Sequence, residues 1–204
     1  MSIKKFNDLV SYNIRLYETE NFAVIPSLGS IVEGWLLIIP KKHYLSYGYL
    51  SSEELYEELD DLIVYVGSIV KKAYGEFVIF ENGAFCSDKL VGCGVDYAHI
   101  HIVPIKDDLI DIIKTRYNKN YNWEQVKSLD VSSTFVKNSQ PYLYYRNQVG
   151  CSYITTDPNI PSQLFRKAIA YSRGIENEYD WKYHYFDENI DKTINSYKQL
   201  FNVI

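Results

Sequence analysis

The sequence predicts an α+β protein: a mainly antiparallel sheet with one long helix packed on it, followed by a C-terminal α/β extension. Three observations carry this expectation. Short apolar segments rich in β-branched residues are separated by glycine- and proline-bearing turns through the first half of the chain. One long run repeats its apolar residues at helical spacing, and one later segment alternates apolar and polar residues so that every second side chain shares a face.

Strands are expected at residues 13–18, 22–25 and 35–39. The helix follows: Ser51-Ser52-Glu53-Glu54 reads as a capping box, and Leu55, Leu59, Leu62, Ile63, Val66, Val70 and Ala73 recur at helical spacing until Gly75 ends the run. That stripe is a core face, and no chemistry is sought on it. Strands at residues 77–81 and 98–103 complete the sheet, with Pro104 closing the last because it cannot donate to a ladder. Residues 106–140 read as helical and polar, with Leu109, Ile110, Ile112 and Ile113 in one segment and Trp123 to Leu129 in another. A hairpin is expected over residues 141–156, where Tyr142-Leu143-Tyr144-Tyr145-Arg146 and Ser152-Tyr153-Ile154-Thr155 flank Asn147-Gln148-Val149-Gly150. Pro161 is placed as an early residue of a further helix. Without an internal repeat or low-complexity linker, the expected organisation is one unit over residues 1–105 and an extension over residues 106–204 packed on its core.

The chain holds four histidines, and two of them, His99 and His101, lie one residue apart in Val95-Asp96-Tyr97-Ala98-His99-Ile100-His101-Ile102-Val103-Pro104. On a strand, Tyr97, His99 and His101 point one way and Ala98, Ile100 and Ile102 the other, with the two imidazoles roughly 6–7 Å apart at their bases. Such a pair has three readings. It can be a metal pair completed by a carboxylate or third ligand, as with Asp96. It can be a nucleophile with a charge-stabilising neighbour. It can be structural, with both rings hydrogen-bonded and inert.

The landmarks before the pair are specific. They are Phe22-Ala23-Val24-Ile25-Pro26, then Gly34-Trp35-Leu36-Leu37-Ile38-Ile39-Pro40-Lys41-Lys42-His43, the long helix, and Phe80-Glu81-Asn82-Gly83. In this order, over roughly residues 10–105, the chain resembles the histidine triad (HIT) superfamily of nucleotide hydrolases and transferases. His99, Ile100, His101, Ile102, Val103 and Pro104 fit the second half of the family motif, in which histidines alternate with apolar residues. Tyr97 stands where the first histidine belongs, Trp35 occupies the place of a histidine often found after the glycine, and no ribose-binding acidic residue is evident around Pro26-Ser27-Leu28-Gly29.

The resemblance implies roles. His99 would attack the α-phosphorus of a nucleotide to form a nucleotidyl-imidazole intermediate, and His101 would contact phosphate oxygens and help the leaving group depart. A histidine at that last position resembles the hydrolases more than the transferase branches, where glutamine is usual. Asn82 would donate to a phosphate oxygen, Gly94 would bring a backbone N–H to it, and Tyr97 and His43 would lie beside the substrate. The implied partner is a nucleotide or dinucleotide, no cofactor or metal is implied, and the sheets of the family pair across a dimer, so a homodimer is expected. The reaction implied is cleavage of a phosphoanhydride or phosphoramidate. The alternatives are a nucleotidyltransferase or phosphorylase, and a nucleotide-binding protein that has lost efficient chemistry. In the extension, Pro161-Ser162-Gln163-Leu164-Phe165-Arg166-Lys167, followed by Asp180-Trp181-Lys182, resembles longer HIT-like proteins, including some dinucleoside polyphosphate phosphorylases and the CwfJ-like proteins. It implies that Arg166 turns to the site as a phosphate contact, the guanidinium fork matching phosphate oxygens; the alternative is a solvated basic helix face.

Composition bounds the remaining classes. With 47% hydrophobic and 23% charged residues in 204, the chain reads as an ordinary globular protein. A formal charge of −5 argues against sequence-independent nucleic-acid binding, which relies on clustered Lys and Arg. No apolar stretch reaches the roughly 18 residues of a membrane span, and the first residues lack the apolar core of a signal peptide, so export is not expected. The three cysteines, Cys86, Cys93 and Cys151, form no C-x-x-C and suit reduced thiols in a cytoplasm. Their spacing to the histidines matches no common zinc module.

Overall fold

The computed structural model describes residues 14–86 and 96–201. Its strands are β1 (Tyr17–Glu18), β2 (Phe22–Pro26), β3 (Leu36–Pro40), β4 (Val78–Gly83), β5 (Ile100–Val103), β6 (Glu124–Val126), β7 (Tyr142–Arg146) and β8 (Ser152–Thr155). They form one eight-stranded sheet in the order β1-β2-β3-β5-β4-β7-β8-β6, and its strand pairs are antiparallel. The α-helices are α1 (Glu53–Tyr74), α2 (Leu109–Tyr117), α3 (Ser132–Lys137), α4 (Leu164–Ser172) and α5 (Asp187–Lys198). This is the α+β architecture that the sequence predicts, with helices on an antiparallel sheet. Strands on both sides of position 105 belong to the same sheet, because β7 pairs with β4 in the register Phe80↔Tyr145 and Glu81↔Tyr144.

The sheet is covered on both faces. Leu36, Ile38, Ile79, Ile100, Ile102, Tyr142 and Tyr144 pack with Leu59, Leu62, Ile63, Val66 and Val70 of α1. On the opposite face, Trp35, Leu37, Val78, Phe80, Val103, Leu143 and Tyr145 pack with Leu109 and Ile113 of α2 and Leu164, Phe165 and Ile169 of α4. Two-sided burial explains why β2 and β3 read as continuous apolar runs. Each fully buried aliphatic side chain contributes on the order of 2 kcal/mol from area removed from water. A smaller cluster of Leu28, Trp181, Ile190 and Ile194 seats α5 beside the loop after β2.

Several expected elements change in detail. Within the described residues, the first strand is reduced to β1. The cap of α1 is Ser52, whose side chain makes no capping hydrogen bond; Glu54 therefore falls at the second helical position and the capping box does not form. At the other end Gly75 takes φ +89°, and its N–H closes the helix on the Lys71 carbonyl. Asn82 and Gly83 belong to β4 rather than to a turn, because β7 pairs them with Leu143 and Tyr142. The segment from Trp123 to Leu129, expected as helical, contains β6, which edges the sheet through Glu124↔Ile154 and Val126↔Ser152. The 141–156 hairpin is present as β7 and β8. Pro161 precedes α4, whose cap is Gln163 in the left-handed region at φ 59°.

Candidate active site

The histidine strand is shorter than its alternation suggests. Asp96 and Tyr97 lie in a bend, Ala98 and His99 precede the ladder, and β5 begins at Ile100. His101 pairs with Leu37 of β3 and Phe80 of β4. It is 3% exposed, stacked on Phe80 at a ring separation of 4.4 Å and 19° between planes. His99 sits over its edge, with ring centroids 4.8 Å apart. His99 is half-buried where His101 is enclosed.

The ring nitrogens are assigned by their partners. Nδ1 of His99 lies 2.7 Å from the carbonyl oxygen of Tyr97. A carbonyl only accepts, so this Nδ1 carries the proton and the neutral ring has its lone pair on Nε2. For His101 the case is inverted: the indole N–H of Trp35 donates to its Nδ1 at 3.0 Å. An indole nitrogen only donates, so Nδ1 holds the lone pair and the proton lies on Nε2. The adjacent imidazoles are thus held in opposite tautomers, one presenting a bare Nε2 and the other an N–H.

Both rings are kept neutral. Burial pushes the pKa of His99 below the usual 6.5, aided by the charge of Arg166 and opposed by the hydrogen bond to the Tyr97 carbonyl. Burial pushes His101 well below 6.5, with His99 and Arg166 adding to the effect.

The other expected site residues fall into distinct places. Asn82 is buried on β4, two residues beyond Phe80 on the same face. The register Phe80↔His101, carried two residues further, would bring Asn82 opposite His99. Tyr97 directs its hydroxyl to the Pro40 carbonyl, and its backbone oxygen accepts from Nδ1 of His99. His43 is exposed; its Nε2 donates to the Asp96 carbonyl at 2.7 Å and its ring meets Tyr97 edge-on at 5.5 Å. It therefore braces the bend that leads into His99. Gly94, like Cys93, lies outside the described residues.

Arg166 departs from the solvated helix face and from a simple phosphate fork. It is 1% exposed. Its Nε donates to the Tyr179 carbonyl at 2.9 Å and its Nη2 to the Gly29 carbonyl at 2.6 Å. Its Cζ lies 4.8 Å from the centroid of the Trp35 ring. The guanidinium thus sits behind Trp35 and is engaged by backbone carbonyls of two loops.

Three contributors are not among the expected site residues. Trp35 supplies the donor to His101, Phe80 its stacking platform, and Phe165 of α4 backs Phe80 at 4.6 Å. Trp35 and Phe80 could have been found from spacing, since Trp35 lies two residues before Leu37 on the histidine face and Phe80 two before Asn82. Phe165 carries no such signal. Among the described residues, no group of three or more His, Cys, Asp or Glu is placed to hold a metal ion.

No protein-family model matches the chain. An uncharacterized HIT-like protein of Methanocaldococcus jannaschii is 23% identical over 111 residues, which span 54% of this chain and 83% of the relative. A hypothetical histidine triad nucleotide-binding protein from Sulfolobus tokodaii has a TM-score of 0.40 at 24% identity, covering 51% of this chain and 70% of its own. A Hit-like protein involved in cell-cycle regulation from Bartonella henselae has a TM-score of 0.36 at 22% identity, covering 45% and 68%.

Proposed function

We propose that this chain belongs to the histidine triad superfamily and cleaves a phosphoanhydride or related bond at a nucleotide through a nucleotidyl intermediate on His99. The observation that carries the proposal is the pair of opposite tautomers: a bare Nε2 on His99 beside an N–H on His101. In this reading, Nε2 of His99 attacks the α-phosphorus, a P–N bond forms, and the bond to the leaving group breaks. The imidazolium so formed keeps its Nδ1 proton on the Tyr97 carbonyl, which stabilises the new charge. Water then attacks phosphorus, the electron pair of the P–N bond returns to Nε2, and the water proton leaves to solvent. His101 offers its N–H to the oxygen on which charge develops, and Asn82 is the second donor proposed for that charge.

Transfer to phosphate or another acceptor differs only in the last step and is recognised by whether that acceptor speeds loss of the intermediate. A binding protein without turnover is the second reading, supported by the near-complete enclosure of His101. Among the described residues no helix is long and apolar enough to cross a membrane. A homodimer stays part of the proposal; β4 is already paired with β7, so joining of sheets between two copies would use β1 or β6.

The test is intact-protein mass spectrometry after rapid mixing with a panel of nucleotides. A nucleotidyl adduct is expected on the native chain and not on His99→Asn, with unchanged circular dichroism. Turnover by His99→Asn at the native rate overturns the nucleophile, and stabilisation by nucleotide without adduct or turnover supports the binding protein instead.

A further inference from the structure

Trp35 and Arg166 join the C-terminal extension to the histidine pair. Trp35 is fully buried, edge-on to Phe80 at 6.0 Å and to His101 at 5.6 Å. Its ring face carries the Arg166 guanidinium while its N–H edge points at Nδ1 of His101. These two contacts suit each other, because the indole face is electron-rich and its N–H edge is positive. Arg166 cannot swing away without breaking its bonds to the Tyr179 and Gly29 carbonyls. A Cβ added to Gly29 would stand 2.8 Å from Nη2 of Arg166 and 2.7 Å from Cβ of Trp181, so the loop is closed tightly on the guanidinium.

We infer that Trp35, clamped by Arg166, selects the leaving group: it fixes His101 as a neutral N–H donor, so the site releases groups that depart as stable anions and rejects amines. The inference rests on the reading of His99 as nucleophile. With a phosphoanhydride, the P–N bond to His99 forms and the P–O bond breaks. The electron pair stays on the departing phosphate oxygen, and no proton has to move; the N–H of His101 stabilises the anion by a hydrogen bond. With an alkyl phosphoramidate, the electron pair falls on nitrogen, and a basic amine departs only if it gains a proton. His101 could supply that proton only by becoming an imidazolate. Its Nδ1 cannot take a replacement proton, because that nitrogen already accepts from Trp35. Among the described residues, the titratable or charged groups that bear on His101 are His99 and Arg166, and both oppose a second proton on its ring. Trp35 and Arg166 are therefore positioning residues, acting through His101.

Two measurements test this. Imidazole ¹⁵N NMR of the native chain should show His101 protonated on Nε2 alone across neutral pH, whereas Trp35→Phe should mix the two tautomers; a native His101 protonated on Nδ1 overturns the inference, whatever the activity. The second is the adduct-formation rate with common ribonucleoside 5′-diphosphates against matched 5′-alkylphosphoramidates. The native chain should favour the diphosphates by at least about 10²-fold, the scale of a missing general acid. Trp35→His, whose imidazole can pass a proton to Nδ1, should reduce that preference at least about tenfold. Adduct at equal rates from both classes overturns the selection alone. No adduct from either class overturns the nucleotidyl reading, and the selection falls with it. Should Trp35→His fail to fold, the native substrate ratio and the native NMR spectrum decide.

Discussion

Trp35 and His101 are joined by an N–H···N hydrogen bond of 3.0 Å across 66 residues of sequence. His99 obtains the matching bond from only two residues away, at the Tyr97 carbonyl. One histidine therefore has its tautomer set locally and the other by the tertiary fold, and the distinct roles proposed for the pair rest on that difference.

The proposed nucleophile, His99, should resist acid. Burial holds His99 below 6.5, with the Arg166 charge acting in the same direction and the Tyr97 carbonyl against it. Its Nε2 therefore takes up a proton at lower pH than an ordinary imidazole. The rate of adduct formation is thus expected to be flat from about pH 8 to 6.5 and to decline only below that. Quenched-flow rates already halved at pH 6.5 contradict this.

Tyr97 should matter through its backbone more than through its ring. Tyr97→Phe removes the hydroxyl that bonds the Pro40 carbonyl but keeps the carbonyl that holds His99. A loss of about 1 kcal/mol in denaturant unfolding is expected, the net worth of one hydrogen bond. Adduct formation should fall by less than about tenfold; a drop near that of His99→Asn would give the phenol a direct catalytic part.

Glu81 should make stability depend on pH. Its carboxyl is buried on the α1 face of the sheet, where burial pushes its pKa up to about 7 against 4.5, although the Tyr142 hydroxyl donates to it at 2.5 Å and the Tyr47 N–H at 2.8 Å. The folded chain thus keeps a proton that the unfolded chain loses between those values. The stabilisation is full below about pH 4.5 and is lost as pH rises through 7, by roughly 3 kcal/mol at most. Glu81→Gln keeps an acceptor for Tyr47 and cannot ionise, so its stability relative to the native chain should grow over that range. The depressed histidines contribute the opposite slope below 6.5, and this cancels in the difference. A difference constant from pH 4 to 8 would show that Glu81 titrates normally.

Gly83 should not accept a methyl group. A Cβ there would lie 2.1 Å from ring atoms of Tyr142, whose hydroxyl is held by Glu81 and by the Gly48 N–H at 3.0 Å. Gly83→Ala is expected to cost about 1–3 kcal/mol, the range for overpacking a filled core. A loss under about 0.5 kcal/mol would mean that the Tyr142 ring has room to shift.

What the sequence by itself determined is the set of features that neighbours along the chain decide. Apolar spacing from Leu55 to Val70 specified α1, the paired runs around Asn147-Gln148-Val149-Gly150 specified the β7–β8 hairpin, and a two-residue step put His99 and His101 on one side. Tertiary structure decided the rest. It drew β6 out of a polar segment by pairing it with β8, pulled Asn82 and Gly83 into β4 against β7, and turned Tyr97 toward Pro40. It also buried Arg166 behind Trp35 and so assigned the proton of His101. Periodicity records which residues share a face. It carries no information about which distant donor will meet a ring nitrogen, or whether backbone carbonyls and an indole will compensate a buried charge, and the tautomers of the histidine pair depend on those contacts.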